Sequence, residues 1–235
     1  ARGIVIIYYL CLSLHLEKHM NTIPRPSIDQ LIATVKKFNH VLFEGSGKSG
    51  NYRDYDLNII GIRSDNIKSN LFDDTYCILY RLDKKWQVHY LQCTTDPGAW
   101  ELMRPSFPEA QKNGTGILKH DEQYRGAYKL GFHGGGAWRH VALQQVGIVK
   151  AYRDNNRDDI LDMNPKTITS GYFGANHHAA NLYRQVLTVD NWSAMCQVIV
   201  NPEEHRLAAE LWTRSAKIWG DIFSYSLYHI NSLAT

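Results

Sequence analysis

Short apolar runs rich in β-branched and aromatic residues fill the chain from residue 57 to about residue 149, and they constrain its fold more than any other feature. Gly, Pro, Asn and Asp separate most of them, and Asp96-Pro97-Gly98 supplies a turn with a known mechanism. The pattern predicts strands over 57–62, 75–81, 86–92, 127–132 and 141–149. The interval 99–116, with two prolines, is predicted to be a loop crossing the sheet face.

Helix signals lie near both ends of the chain. Ser27 stands three residues before Gln30 and is followed by apolar residues at helical spacing, which predicts a helix over 28–40. Asn201 followed by Pro202 and two glutamates predicts a second helix start. Alternation over 223–230 predicts a closing strand. The fold class is therefore α+β: a mostly antiparallel β-sheet or barrel with flanking helices near both ends.

Length and composition limit the organisation of the chain. A chain of 235 residues can bury one substantial core, and the scattered basic residues argue against a nucleic-acid partner. The apolar stretch 3–16 is shorter than the roughly 20 residues of a membrane span. A truncated signal, a peripheral anchor and sequence upstream of a start at Met20 all remain open. We divide the chain into an N-terminal apolar segment (1–20), a helix and loop (21–54) and a main domain (55–235).

Cys196 is the cysteine in a polar, turn-like setting, whereas Cys77 and Cys93 sit in apolar alternating runs and are predicted to be small core residues. Upstream of it lie His178 and, after a gap of fourteen residues, Ser193. A thiol attacks as thiolate, and a nearby imidazole is the usual base that generates one. The spacing indicates a thiol nucleophile with an imidazole base.

This segment resembles the L,D-transpeptidase family, and in particular a phage and prophage branch from Bacteroides-type hosts. The likeness rests on a Gly-x-Asn-x-His segment ending at His178 and on Trp-Ser-Ala-x-Cys-Gln over 192–197. Further stretches that share it are 57–63, 95–98, 123–126, 152–158 and 173–174, so it covers roughly 55–230. The resemblance implies an L,D-transpeptidase-like catalytic domain over 55–235, with Cys196 as nucleophile, His178 as base, Ser193 beside them and no cofactor.

The function that the resemblance implies is that of a cysteine peptidase acting on peptidoglycan through a thioester acyl-enzyme, most simply a hydrolase of endolysin or virion-associated type. Its partners would be peptidoglycan stem peptides and other virion proteins, with no nucleic acid and no membrane for the catalytic domain. Its place would be the phage virion or the host cell envelope and periplasm. The alternative is a catalytically silent virion structural or wall-binding protein on the same fold.

The chain departs from the family pattern beside the nucleophile. Ala194 stands where the family has His, and Met195 stands where it has Gly. Glycine adopts positive φ and allows close approach, which methionine does not do cheaply. We therefore expect Met195 to reshape the oxyanion hole or to weaken the enzyme. The residues expected to bind substrate or the oxyanion are Met195, Asn176, Gln197, Trp192, His177 and His133.

Two metal sites and a nucleotide site compete with this interpretation. Asp154, Asn156, Asp158 and Asp162 have the spacing of calcium-loop ligands, although the sixth and twelfth positions do not fit and a turn-rich hairpin also explains them. A zinc site of His133, His178 and Cys196, or a metal hydrolase that also uses His177, is the other alternative. The stretch 45–49 ends like a phosphate loop but lacks its first glycine and a following helix, which favours a solvent loop.

Overall fold

Eight strands close into a mixed β-barrel, and three further strands form a small separate sheet. The computed structural model describes residues 23–46 and 51–235, so the predicted segment 1–20 and part of the loop at 45–54 lie outside the described residues. The barrel strands are β1 (Asn58–Arg63), β2 (Asp74–Leu82), β3 (Lys85–Thr94), β5 (Glu122–His133), β6 (His140–Gln145), β9 (His177–Ala179), β10 (Gln197–Ile199) and β11 (Ile222–His229). The small sheet contains β4 (Thr115–Leu118), β7 (Val149–Asp154) and β8 (Thr169–Gly171).

The described residues also form four α-helices and three short 3-10 turns. The helices are α1 (Ile28–Lys37), α2 (Ala99–Met103), α3 (Pro108–Asn113) and α4 (Pro202–Trp219), and the 3-10 turns are Gly136–Trp138, Pro165–Thr167 and Ile230–Ser232. No helix in the described part of the chain is long and apolar enough to cross a bilayer. The α+β class with a mostly β barrel is thus confirmed.

The barrel follows the order β1-β11-β5-β6-β9-β10-β3-β2. The barrel has eight strand pairings, of which two are parallel: β1 with β11 and β9 with β10. Its other pairings, and both pairings of the small sheet, are antiparallel. The parallel pairing of β9 with β10 matters for function, because it sets two segments eighteen residues apart side by side. His178 faces Val198 across that pairing.

Both predicted helices begin where the sequence indicates. The Ser27 hydroxyl accepts a hydrogen bond from the Gln30 N–H at 3.1 Å, and the Asn201 side chain accepts one from the Glu203 N–H at 2.9 Å. These caps satisfy N–H groups that a helix start leaves without partners. The first helix ends at Lys37, three residues before the predicted end, and buries Leu31 against the outer wall of the barrel. Burying such a side chain contributes about 1.5 to 3 kcal/mol.

Two sequence predictions are corrected by the structure. The predicted strand 141–149 is two strands in different sheets, β6 and β7, because the chain turns between them. At that turn the N–H groups of Val146 and Gly147 both donate to the Ala127 carbonyl, and a Cβ on Gly147 would lie 2.7 Å from the Ala127 Cα. The predicted loop 99–116 contains helices α2 and α3 and the start of β4.

Aromatic side chains fill the barrel interior. The rings of Tyr76 and Tyr225 stack at 6.2 Å, and Tyr128 packs edge-on against Tyr225 at 6.0 Å. Cys77 and Cys93 are fully buried, as the sequence predicts. These tyrosines pack against His177 of β9, and Tyr225 also donates a hydrogen bond to Gln197 of β10.

Candidate active site

The pairing of β9 with β10 brings the segments of the predicted nucleophile and base side by side in the barrel wall. Gln197 lies opposite His177 and Val198 opposite His178, in parallel register. Side chains alternate along a strand, so His177 and Gln197 point into the barrel while His178 points outward. Cys196 directly precedes β10 and its side chain packs against the outer cluster that contains Val198. Besides burial, its thiol raises the pKa of the Tyr128 hydroxyl inside the barrel, so it lies at the edge of the wall, between the two faces.

The Cys196 thiol lies in a half-buried position at the end of the turn before β10. Its Sγ donates to the Gly174 carbonyl oxygen at 3.4 Å, and its side chain packs beside Trp192 in the outer cluster. Burial raises the pKa of the Cys196 thiol to about 11, although the Asn176 backbone N–H lowers it in part. The resting thiol is therefore protonated at neutral pH.

The hydrogen bonds of His178 define its tautomer. Its Nδ1 lies 2.9 Å from the Ala179 carbonyl oxygen, and a carbonyl only accepts, so Nδ1 carries the proton. The lone pair of Nε2 is left to accept a proton from a reacting group. Burial, followed by the neighbouring imidazole of His133, holds the pKa of His178 well below its usual range. The ring is thus neutral at pH 7, which is the form that a general base needs.

The thiol and the imidazole do not form an ion pair in the resting structure. Across residues 23–46 and 51–235 no hydrogen bond joins Cys196 Sγ to the His178 ring. Catalytic hydrogen bonds are often long in a free enzyme and tighten when substrate binds. The arrangement is a neutral thiol and a neutral imidazole on neighbouring segments of the barrel wall.

The turn from Ser193 to Cys196 is held from two sides. The Ser193 hydroxyl donates to the Cys196 carbonyl at 3.0 Å, and the Gly98 N–H donates to the Ser193 carbonyl at 2.8 Å. Ser193 is buried and shapes the turn; its hydroxyl bonds to the backbone carbonyl of Cys196. Among the described residues, no acceptor takes the N–H groups of Ala194, Met195 or Cys196. Free N–H groups next to a nucleophile are the donors from which oxyanion holes are built.

Met195 is part of the core, so the residue that stands where the family pattern has glycine has a packing role. Its side chain is buried in the main hydrophobic cluster, above Gly116 of β4. A Cβ on Gly116 would lie 2.6 Å from Met195 Sδ, so that glycine makes room for the methionine. Met195 is not among the residues with positive φ, so the backbone strain considered from the sequence does not arise.

Three other predicted site residues support the barrel end. His177 is fully buried, with Nδ1 2.8 Å from the Tyr76 hydroxyl, and burial lowers its pKa to about 3. Gln197 is also buried and accepts a hydrogen bond from the Tyr225 hydroxyl at 2.7 Å. Asn176 is half-buried and accepts from the Gln145 N–H at 2.8 Å. His177 and Gln197 therefore line the core, because their strand positions turn them inward.

A histidine cluster surrounds His178, and the sequence indicated only one further member of it. The His133 ring stacks on the His178 ring with centroids 3.9 Å apart and planes 2° apart. His140 donates from Nδ1 to the Trp138 carbonyl at 2.7 Å and accepts the Ala179 N–H at its Nε2, at 3.2 Å. His205 of α4 packs edge-on against His140 at 5.1 Å. His140 and His205 carried no sequence signal, since tertiary packing alone unites them with β9.

The metal alternatives find no ligand set in the described part of the chain. No group of three His, Cys, Asp or Glu side chains there is placed to hold an ion. Stacked rings such as those of His133 and His178 cannot both direct their in-plane lone pairs at one metal, and His177 faces the other way. In the predicted calcium loop, the Asn156 amide donates to Asp158 and Asp162, and Asp154 accepts the Asp162 N–H.

Comparisons with known proteins add no assignment. The chain matches no family model, no curated protein and no solved structure. The likeness to L,D-transpeptidases therefore stays a prediction that rests on the residues named above.

Proposed function

We propose that the protein is a peptidoglycan-acting cysteine peptidase with an L,D-transpeptidase-like thiol mechanism, of phage or prophage origin and most simply hydrolytic. The observation that carries the proposal is the parallel pairing of β9 with β10, which sets the segment of His178 beside the segment that Cys196 precedes, with Nε2 of the imidazole left free as a base. The free N–H groups of residues 194–196 support the same chemistry. Peptidoglycan as substrate rests on the family resemblance alone.

The mechanism follows from the protonation states of the two groups. As Cys196 Sγ attacks the peptide carbonyl carbon, its proton passes to His178 Nε2, because neither group is charged at rest. The new S–C bond leaves negative charge on the carbonyl oxygen, which the free N–H groups of the turn stabilise. Collapse breaks the C–N bond, the imidazolium returns its proton to the leaving amine, and water then hydrolyses the thioester. An amine in place of water gives transpeptidation.

The direct test is mass spectrometry of muropeptides after incubation with the protein and its variants. We expect new products with the wild type and none with Cys196→Ala or His178→Ala, each of which should lose turnover to a similar residual level because the two groups act as a unit. Matched controls exist in the same chain: Cys77→Ala removes a buried thiol far from the turn, and His89→Ala removes a half-buried imidazole on β3. Both controls should retain turnover.

The same experiment addresses the alternative of a silent virion or wall-binding protein. The raised pKa of the Cys196 thiol and the missing thiol–imidazole hydrogen bond favour that alternative. It predicts identical muropeptide profiles for the wild type and Cys196→Ala, with both proteins sedimenting with purified sacculi. Products that depend on Cys196 would exclude it, and their masses would identify the bond that is cut.

A further inference from the structure

Two buried carboxyl groups share one buried guanidinium near the turn that carries Cys196. Asp74 begins β2 and Asp96 follows β3, and both are buried together with Arg63 at the end of β1. Arg63 Nε lies 2.9 Å from Asp96 Oδ1. One positive charge cannot compensate two buried negative charges, so the pair is expected to hold a proton.

Hydrogen bonding distinguishes the two carboxyl groups. Asp74 accepts three hydrogen bonds: from the Ser64 N–H at 2.7 Å, the Thr95 N–H at 2.7 Å and the Thr95 hydroxyl at 2.8 Å. Asp96 Oδ1 accepts no well-directed hydrogen bond among the described residues. Burial raises the pKa of both groups, and repulsion between them raises that of Asp74 further. Asp74 is therefore bound by three donors from two segments, whereas, in the part of the chain that the structure describes, the Asp96 carboxyl is bound by Arg63 Nε alone.

Other charged groups face this pair and belong to the same balance. Asp73 raises the pKa of both Asp74 and Asp96, while His120 lowers that of Asp96. Asp73 itself bonds to the Ser64 hydroxyl and to an exposed asparagine side chain at the surface of the loop. It therefore serves as a matched control for a change of charge next to Asp74.

Hydrogen bonds and the short backbone stretch 95–98 connect Asp74 to the candidate nucleophile. Asp74 accepts a hydrogen bond from the Thr95 N–H, and Arg63 Nη2 donates one to the Thr95 carbonyl at 2.8 Å. Three residues later, the Gly98 N–H donates to the Ser193 carbonyl at 2.8 Å, and the Ser193 hydroxyl donates to the Cys196 carbonyl. The contact at Gly98 is tight, since a Cβ there would lie 1.9 Å from the backbone oxygen of Asp190.

We propose that Asp74 is a positioning residue for Cys196: it fixes the segment Thr95–Gly98, and through Gly98 it fixes the turn that presents the thiol and the free N–H groups. Asp96 lies within this segment, and its side chain needs a single accepting oxygen, which faces Arg63 Nε. The consequence for turnover rests on the proposed function, whereas the effect on the thiol does not.

The test compares Asp74→Asn with Asp96→Asn. Asp74 accepts at both carboxylate oxygens, so the NH2 group of Asp74→Asn meets either the Ser64 N–H or the Thr95 N–H and hydroxyl. Asp96→Asn keeps an oxygen that can accept from Arg63 Nε. We expect Asp74→Asn to loosen the turn, so that iodoacetamide alkylates Cys196 at least threefold faster at pH 8, and kcat on muropeptides to fall at least tenfold with KM little changed. Asp96→Asn and Asp73→Asn should stay within twofold of the wild type in both assays.

Equal alkylation rates for folded Asp74→Asn and Asp96→Asn, at a temperature well below both melting points, would overturn the proposal. If Asp74→Asn does not fold, Gly98→Ala decides: its Cβ would lie 1.9 Å from the Asp190 carbonyl oxygen, so the segment must shift against the loop that carries Ser193, and alkylation should again be at least threefold faster. A wild-type rate in that variant overturns the proposal as well. A wild type without turnover contradicts the proposed function alone, since alkylation needs no substrate.

Discussion

The reactivity of Cys196 toward an alkylating reagent tests the central electrostatic argument. Burial raises the pKa of this thiol to about 11 from an ordinary value of 9.0, and the nearby imidazole of His178 is neutral. Many thiol enzymes instead hold a thiolate beside an imidazolium at rest. The structure predicts that this protein does not, and that the thiol is deprotonated only as it attacks.

The magnitude follows from the size of the shift. At pH 7 a thiol of pKa about 11 is ionised in about one molecule in ten thousand, against about one in a hundred for an ordinary thiol. Only the thiolate reacts, so native Cys196 should be alkylated about a hundredfold more slowly than the same residue in the unfolded chain. The native rate should rise about tenfold per pH unit up to about pH 10 without levelling off.

The assay uses iodoacetamide, timed quenching and mass spectrometry of the peptide that contains Cys196, in a Cys11→Ser background that removes a thiol outside the described residues. The same protein in concentrated urea gives the reference curve. The shape of the pH profile carries the test, because steric shielding lowers the rate without changing its slope. A plateau between pH 6 and 8 would refute the reasoning, since it would reveal a thiolate paired with His178.

Three further predictions concern stability. Met195→Gly should cost about 3 to 5 kcal/mol in urea unfolding and Met195→Leu less than about 1.5, because the side chain fills the core; equal midpoints would contradict that placement. Burial lowers the pKa of His205 to about 4, so the folded state disfavours its charged form. The contribution of His205 to the free energy of unfolding is therefore fully present above pH 6.5, and it falls by up to about 3 kcal/mol as the pH drops to about 4. Urea midpoints across that range should shift in the wild type and less in His205→Gln. Tyr225→Phe should cost about 1 to 3 kcal/mol in thermal unfolding, because it leaves the buried Gln197 oxygen without its donor; no change would show that water replaces it.

The sequence predicts β1, β2, β3 and β11 close to their observed bounds and the second half of β5, whereas the strands that it misses entirely, β4, β8, β9 and β10, have four residues or fewer. β2, β3 and β11 span eight residues or more, so their β-branched and aromatic enrichment stands out locally. β9 and β10 span three residues each, too few for any periodicity, and they exist because the barrel closes through them. Helix α1 was predictable because its cap and its apolar spacing are both local.

In the candidate site as well, local sequence patterns predict some features, whereas others depend on tertiary contacts. Strand alternation predicts that His177 and His178 face opposite ways, and the structure bears this out: one ring lies among the core tyrosines and the other lies in the outer histidine cluster. His205 reaches that cluster from α4, and Asp74 reaches the turn through Thr95. Neither contact leaves a pattern in the sequence, because each joins segments far apart in the chain.

The turn before β10 explains how the chain accommodates methionine where the family pattern has glycine. Met195 extends into the core over Gly116, while Ser193 is tied to Gly98 on the other side. With these side chains held in this way, the backbone between them makes no N–H hydrogen bond to a described acceptor. Gly116 lacks the Cβ that would meet Met195, so the N–H groups proposed as oxyanion donors depend on the packing beneath the turn. For this reason a glycine at 195 should weaken the site as well as the fold.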